Sequence, residues 1–156
     1  KPFLGILVGS DQGRSVYKKQ LIGLVEQHRL TNNVIFINHC NEMPAAYKIS
    51  NLVVSASIEP EAFGRVSVEA QSMSKPIIAT NLGGSKETII DKKTGLLVKS
   101  GDSNELADAI YRIMMMDENI IKNMGFEGRK NVLKKFDVDK MCQTTFTEYK
   151  KLIELS

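Results

Sequence analysis

The sequence predicts a doubly wound α/β fold, with a mostly parallel sheet between two layers of helices, as a single domain over residues 1–156. Two observations predict it. Short apolar segments alternate along the chain with longer segments of helical periodicity, which is the pattern of parallel βαβ units. The apolar segments also lack polar alternation, which is typical of strands buried on both faces.

Five short segments have the apolar or β-branched character of strands. In chain order they are Phe3–Val8, Val34–Ile37, Leu52–Ser55, Ile77–Ala79 and Leu96–Val98. The first ends in a glycine loop, Gly9–Gly13, and the fourth follows Pro76, whose ring interrupts the preceding helix. The first and fourth strands are therefore bounded by residues that favour a turn or end a helix.

The segments between the strands have apolar residues at helical spacing. The predicted helices are Arg14–Leu30, Pro44–Ile49, Arg65–Ser74, Ser85–Ile90, a helix opened by Asp102, Asn119–Phe136 and Asp139–Leu155. Pro44 suits a first helical turn. Asp102 with Glu105 three residues on resembles a capping box.

Charge and cysteine content exclude several classes of function. The net charge is +3 and the basic residues are scattered, which gives no indication of nucleic-acid binding. Cys40 and Cys142 are far apart and predict neither a disulfide framework nor a metal site, so a reducing compartment is the default. No run of about 18 apolar residues predicts a membrane span.

The stretch from Ser55 to Ala70 combines a strand end, an acidic loop and a helix start. Backbone N–H groups at a helix N-terminus lack intrahelical partners and, with the helix dipole, favour a phosphate. Glu61 and Glu69 lie on either side of the predicted start at Gly64 or Arg65. Because carboxylates only accept hydrogen bonds, they suggest hydroxyl-rich groups flanking a diphosphate, such as a ribose and a hexose.

The same acids have a purely structural interpretation. Carboxylates near a helix N-terminus stabilise the helix by about 0.3–1 kcal/mol without any ligand. Glu69 could pair with Arg65 at i, i+4, and Arg65 itself could reach a phosphate oxygen or point to solvent.

The segment Glu61–Ala70, EAFGRVSVEA, matches the E-x-F-G-x-x-x-x-E signature, and a Gly-Gly-Ser-x-Glu turn follows from Gly83. With these motifs the whole chain resembles the C-terminal half of GT-B retaining glycosyltransferases of family four, the glycosyl transferases group 1. The resemblance implies a Rossmann-like three-layer domain. It also implies a metal-independent hexosyltransferase that uses a UDP- or GDP-linked sugar and no cofactor.

The resemblance implies a role for each matching position. Glu61, the catalytic candidate, contacts the donor hexose, and Glu69 contacts the ribose hydroxyls. The diphosphate lies against the loop and helix start formed by Ala62, Phe63, Gly64, Arg65 and Val66. Asn38 and His39 lie near the base, and the loop at Gly9 closes another side of the pocket. His39 stands where the family often has glycine, and a surface-loop role for it is an equal alternative.

One family segment has no match. The G-R-x-x-x-x-K-G pattern, whose basic residues neutralise the leaving diphosphate, is missing, because Lys1 already approaches the next strand. We therefore expect a fragment that lacks the acceptor domain and the first strand and cannot transfer sugar alone. In the 3-2-1-4-5-6 order the missing strand is central. The strands Phe3–Val8 and Leu52–Ser55 then pair directly, accept a strand of another chain in a homo-association, or pair with residues outside the chain.

Two other functions remain open on the sequence. A GT-B nucleotide-sugar epimerase or phosphorylase would share the fold, although no lysine context for pyridoxal phosphate is apparent. A non-catalytic Rossmann-like nucleotide-binding domain is the alternative outside enzymes; the loop Gly9–Gly13 does not have the Gly-x-Gly-x-x-Gly spacing of a dinucleotide site. Polysaccharide or lipid-linked acceptors are common in the family, which would place the full protein in the cytoplasm, peripherally at the inner face of the membrane.

Overall fold

The computed structural model describes residues 2–154, in which parallel strands alternate with helices. The elements are β1 (Gly5–Val8), α1 (Ser15–Gln27), β2 (Val34–Ile37), α2 (Met43–Ile49), β3 (Val53–Ser55), α3 (Arg65–Ser72), β4 (Ile77–Thr80), α4 (Ser85–Thr88), β5 (Gly95–Val98), α5 (Ser103–Met115), α6 (Glu118–Lys135) and α7 (Val138–Glu154). Every predicted element is present, so the α/β class is confirmed. The predicted end of the last helix at Leu155 lies outside the described residues, as does Lys1.

The chain forms two compact units, Lys1–Met43 and Pro44–Ser156. The first has a sheet of order β1-β2 and the second a sheet of order β3-β4-β5, and all pairs are parallel. Direct pairing of β1 with β3, one of the alternatives above, stays a prediction. The single domain over 1–156 stays a prediction.

The first unit corrects the expectation of two-sided burial. β1 pairs with β2 in the register Gly5↔Val34 to Val8↔Ile37. Most of their apolar side chains are exposed, including Leu7 and Ile35. The unit has a single helix, α1, between its two strands, and one helix can cover only one face of a sheet.

The second unit contains the hydrophobic core. All four residues of β4 are buried, as the apolar pattern predicted. One core cluster joins the sheet to the helices that follow it: Ile78, Leu96, Val98, Ala109, Ile113 and Met124. These side chains come from β4, β5, α5 and α6, so α5 and α6 hold the sheet against which α3 packs.

Close packing against α6 fixes the position of α3. A Cβ at Gly128 of α6 would lie 3.0 Å from Cγ of the buried Gln71. The Gln71 amide donates to the carbonyl of Thr88, 3.0 Å away, and Asn131 of α6 donates to the same carbonyl at 3.1 Å. Buried hydrogen bonds of this kind fix one arrangement of α3, α4 and α6, because breaking one would leave a polar group unpaired.

Candidate functional site

The candidate site is the corner where the loop after β3 turns into α3. The helix begins at Arg65, which confirms the predicted start, and Gly64 is its N-cap. Gly64 is buried and has φ 76° and ψ 54°, a left-handed conformation that glycine adopts without steric cost. The signature glycine therefore sets the turn from which the helix starts.

The N-terminus of α3 has no side-chain cap, because its N-cap residue is a glycine. Gly64 has no side chain with which to accept a hydrogen bond, and the first intrahelical bonds run from Ser67 and Val68 to its carbonyl. The N–H groups of Arg65 and Val66 have no acceptor within residues 2–154. Two unpaired donors at the positive end of the helix dipole form an arrangement that suits an anion.

The Gly83–Gly84 turn packs directly under the acidic loop. The Gly84 N–H donates to the carbonyl of Glu61 at 2.8 Å. A Cβ at Gly83 would lie 2.8 Å from the Glu61 nitrogen, and one at Gly84 would lie 2.7 Å from Cα of Phe63. Backbone therefore packs on backbone here, which explains why the turn needs glycine at both positions.

Glu61 is half-buried and its carboxylate has one partner within the described chain. The hydroxyl of Ser57 donates to Oε1 of Glu61. Ser57 is itself held through its carbonyl, which accepts a 2.7 Å hydrogen bond from Oγ1 of Thr80 at the end of β4. One carboxylate oxygen of Glu61 is thus oriented by the sheet, while Oε2 has no partner among the described residues.

Glu69 lies one turn inside α3 and its carboxylate is bound on both oxygens. Nε and Nη2 of Arg65 donate to Oε1 at 3.2 and 3.0 Å, the i, i+4 pair considered above. The Tyr47 hydroxyl donates to Oε2 at 2.9 Å. Burial and this hydrogen bond to Glu69 raise the pKa of Tyr47 well above its ordinary value, so the phenol stays a donor.

The remaining predicted residues of the corner differ in exposure. Ala62 and Phe63 are exposed, and Val66 is half-buried on α3. The Phe63 ring packs edge-on against Phe136, with ring centroids 5.7 Å apart. The corner is thus also held against the end of α6.

The other predicted site residues lie in the unit Lys1–Met43. Gly9 follows β1 with φ 147° and lines a cleft of about 390 Å³ at the ends of β1 and β2, to which Arg14 and Lys18 also contribute. Asn38 is exposed and accepts a 2.9 Å hydrogen bond from Nζ of Lys18. His39 is exposed in the loop after β2.

Sequence reasoning did not identify three of the polar residues at the corner. Ser57 lies four positions before Glu61, a spacing that could have suggested a local hydrogen bond. Tyr47 and Thr80 lie 22 and 23 positions from their partners, Glu69 and Ser57, and no spacing rule reaches that far.

Residues 2–154 contain neither a membrane-spanning helix nor a cluster of metal ligands. No helix in that range is long and apolar enough to cross a bilayer. No group of three or more His, Cys, Asp or Glu side chains is placed there to hold a metal ion.

The chain matches a family model over most of its length. Residues 4–131 match the model for glycosyl transferases group 1. A 104-residue stretch is 36% identical to the capsular polysaccharide biosynthesis glycosyltransferase CapM of Staphylococcus aureus, covering 67% of this chain and 27% of that protein. The N-acetyl-alpha-D-glucosaminyl L-malate synthase of Bacillus anthracis is 30% identical over 129 residues, covering 83% of this chain and 33% of that protein. The chain thus spans about a third or less of these two relatives.

Solved structures share the fold. Anabaena Alr3699/HepE in complex with UDP superposes with a TM-score of 0.91 at 29% identity, over 96% of this chain and 41% of that one. A glycosyltransferase from Rickettsia africae superposes with a TM-score of 0.93 at 30% identity, over 99% of this chain and 41% of that one. The motif, the fold and the family match agree, and the chain belongs to the glycosyl transferases group 1 family as an α/β domain of GT-B type.

Proposed function

We propose that this chain is the donor-binding part of a glycosyltransferase and binds a nucleotide-diphosphate sugar at the start of α3. The observation that carries the proposal is the corner itself, where two unpaired amides lie between the carboxylates of Glu61 and Glu69. The solved complexes of Anabaena HepE with UDP and with UDP-glucose support a nucleotide sugar as the ligand, with UDP rather than GDP as the first candidate.

The diphosphate binds the N–H groups of Arg65 and Val66. Charge-assisted hydrogen bonds from backbone amides, together with the helix dipole, stabilise the negative charge that grows on the diphosphate as the sugar leaves. This arrangement needs no metal ion, and we propose metal-independent transfer.

Glu61 and Glu69 bind the two sugar rings. Because Ser57 occupies Oε1 of Glu61, the free Oε2 is the acceptor for a hydroxyl of the donor hexose. Glu69 accepts from the ribose. The family resemblance assigns Gly9, Asn38 and His39 to the base, and that role stays a prediction. For the full protein we propose that the sugar is transferred with retention of configuration. The acceptor is a polysaccharide or a lipid-linked molecule at the cytoplasmic face of a membrane.

Calorimetric titration with UDP, GDP and ADP, each with and without its sugar, tests the proposal. Glu61→Ala should weaken binding of the UDP-sugar more than binding of UDP, because the contact it removes is to the sugar. Glu59→Ala is the matched control, since Glu59 is an exposed acid of the same loop. Failure of all three nucleotides to bind, or equal losses in the two variants, would contradict the donor site.

A further inference from the structure

We infer that Tyr47 is a positioning residue for ribose recognition, acting through the carboxylate of Glu69. The inference rests on the proposed function and adds a residue from outside the signature motif. The Tyr47 side chain reaches Glu69 from α2, where it is the one buried residue of that helix.

The two partners of Glu69 differ in how firmly they can hold it. The Arg65 side chain is 83% exposed, so its ion pair with Glu69 is screened by solvent. Tyr47 is 6% exposed, and its phenol has two rotatable torsions and a packed ring. The Tyr47 hydroxyl is therefore the partner that fixes the direction of the carboxylate.

The helix that carries Tyr47 is itself tied to the segment after α3. Nζ of Lys75 donates to the carbonyls of Lys48 and Ser50 at 2.7 and 2.8 Å. These bonds hold the end of α2 against the chain that leaves α3 for β4. Tyr47 is thus held at both ends, by its own helix and by Glu69.

The hydrogen bonds leave acceptor capacity on Glu69 for a ligand. Both donors of Arg65 bind Oε1, whereas Oε2 accepts, within residues 2–154, from Tyr47 alone. A carboxylate oxygen has about two acceptor sites, so Oε2 keeps one for a hydroxyl. The Glu69 side chain is 36% exposed, which leaves it accessible. Tyr47 thereby directs the free acceptor site of Oε2 toward a ribose hydroxyl.

Paired titrations with UDP and 2′,3′-dideoxy-UDP test this inference. The ratio of the two dissociation constants measures the contribution of the ribose hydroxyls to binding. The ratio is insensitive to loss of folded protein, because both ligands are titrated into the same protein sample. In Tyr47→Phe the preference for UDP should fall by about threefold to tenfold, the range for one hydrogen bond. In Glu69→Ala the preference should disappear.

Tyr111→Phe is the matched control, since it removes the same atom from an exposed tyrosine and should leave the ratio unchanged. If Tyr47→Phe weakens both ligands equally, Tyr47 has only a structural role and the inference is wrong. If the wild-type chain binds both ligands equally well, Glu69 does not contact the ribose; the inference fails while nucleotide binding stands. If the wild-type chain binds neither ligand, the proposed function fails and the inference with it.

Discussion

Replacing Gly84 by alanine tests whether the glycine turn holds the acidic loop in its binding position. Gly84 has φ −62° and ψ −19°, a conformation that alanine adopts freely, so any effect comes from the added methyl group. That Cβ would lie 2.7 Å from Cα of Phe63, whereas ordinary contacts begin at 3.4 Å. The carbonyl group of Phe63 would lie closer still, so the two backbones must separate by at least about 0.7 Å to reach normal packing distance.

The consequences for stability and binding follow from that separation. The Gly84–Glu61 hydrogen bond, now 2.8 Å, would lengthen to at least about 3.5 Å, the limit of a useful bond. Overpacking and the weakened bond together predict a loss of about 2–4 kcal/mol in the free energy of unfolding. Because Phe63 precedes the N-cap of α3, UDP affinity should fall by about tenfold or more.

Urea denaturation and UDP calorimetry measure the two effects. Gly23→Ala is the matched control, because its Cβ would meet nothing within 4 Å in the middle of α1. That variant should be stabilised by about 0.5–1 kcal/mol through helix propensity. If Gly84→Ala resembles Gly23→Ala in stability and in UDP affinity, the positioning role of the turn is refuted.

Three further predictions concern a helix cap, a pH dependence and the reaction. Asp102→Ala should lower the free energy of unfolding, measured in urea, by about 1 kcal/mol, because the Asp102 carboxylate accepts from the Glu105 N–H at 3.0 Å. Asp108→Ala, at an exposed position of the same helix, is the control. Equal losses of stability in the two variants would show that the cap does not stabilise the helix. Because the pKa of Tyr47 is raised in the folded state, its contribution to stability is complete below the unfolded pKa of about 10 and declines as the pH rises above that value. The free energy of unfolding should therefore fall less steeply with alkaline pH in Tyr47→Phe than in the wild type. An unchanged slope would contradict the buried hydrogen bond from Tyr47 to Glu69. Finally, the chain alone should bind a nucleotide sugar without transferring it, and robust turnover of labelled donor with a mixed acceptor pool would show that expectation to be wrong.

Local signals in the sequence predict most elements within a few residues of their observed ends. The start of α3 is confirmed at Arg65 because glycine, a left-handed turn and the following helical pattern all act over neighbouring positions. The prediction of a capping box at Asp102 is confirmed for one of its two hydrogen bonds. Asp102 caps the helix, but the carboxylate of Glu105 accepts from the Lys99 N–H at 3.1 Å instead of returning to the cap.

Burial was less predictable than secondary structure. The apolar runs of β1 and β4 look alike in sequence, yet β4 is fully buried and β1 is mostly exposed. An apolar run indicates that a strand can be buried on both faces. The helices that pack on those faces determine how much of the strand is buried.

The order of residues alone was enough to specify the α/β class, the acidic corner and the glycines at its turns, because periodicity, caps and backbone freedom depend on near neighbours. The direction in which each carboxylate faces was decided by the fold. The hydroxyl of Tyr47 orients the carboxylate of Glu69. The carboxylate of Glu61 is oriented by Ser57, which in turn is held by Thr80 at the end of the next strand. Ser57 and Thr80 meet because the parallel strands β3 and β4 end at the same edge of the sheet. Tyr47 meets Glu69 because α2 reaches α3, and neither juxtaposition has a counterpart along the chain.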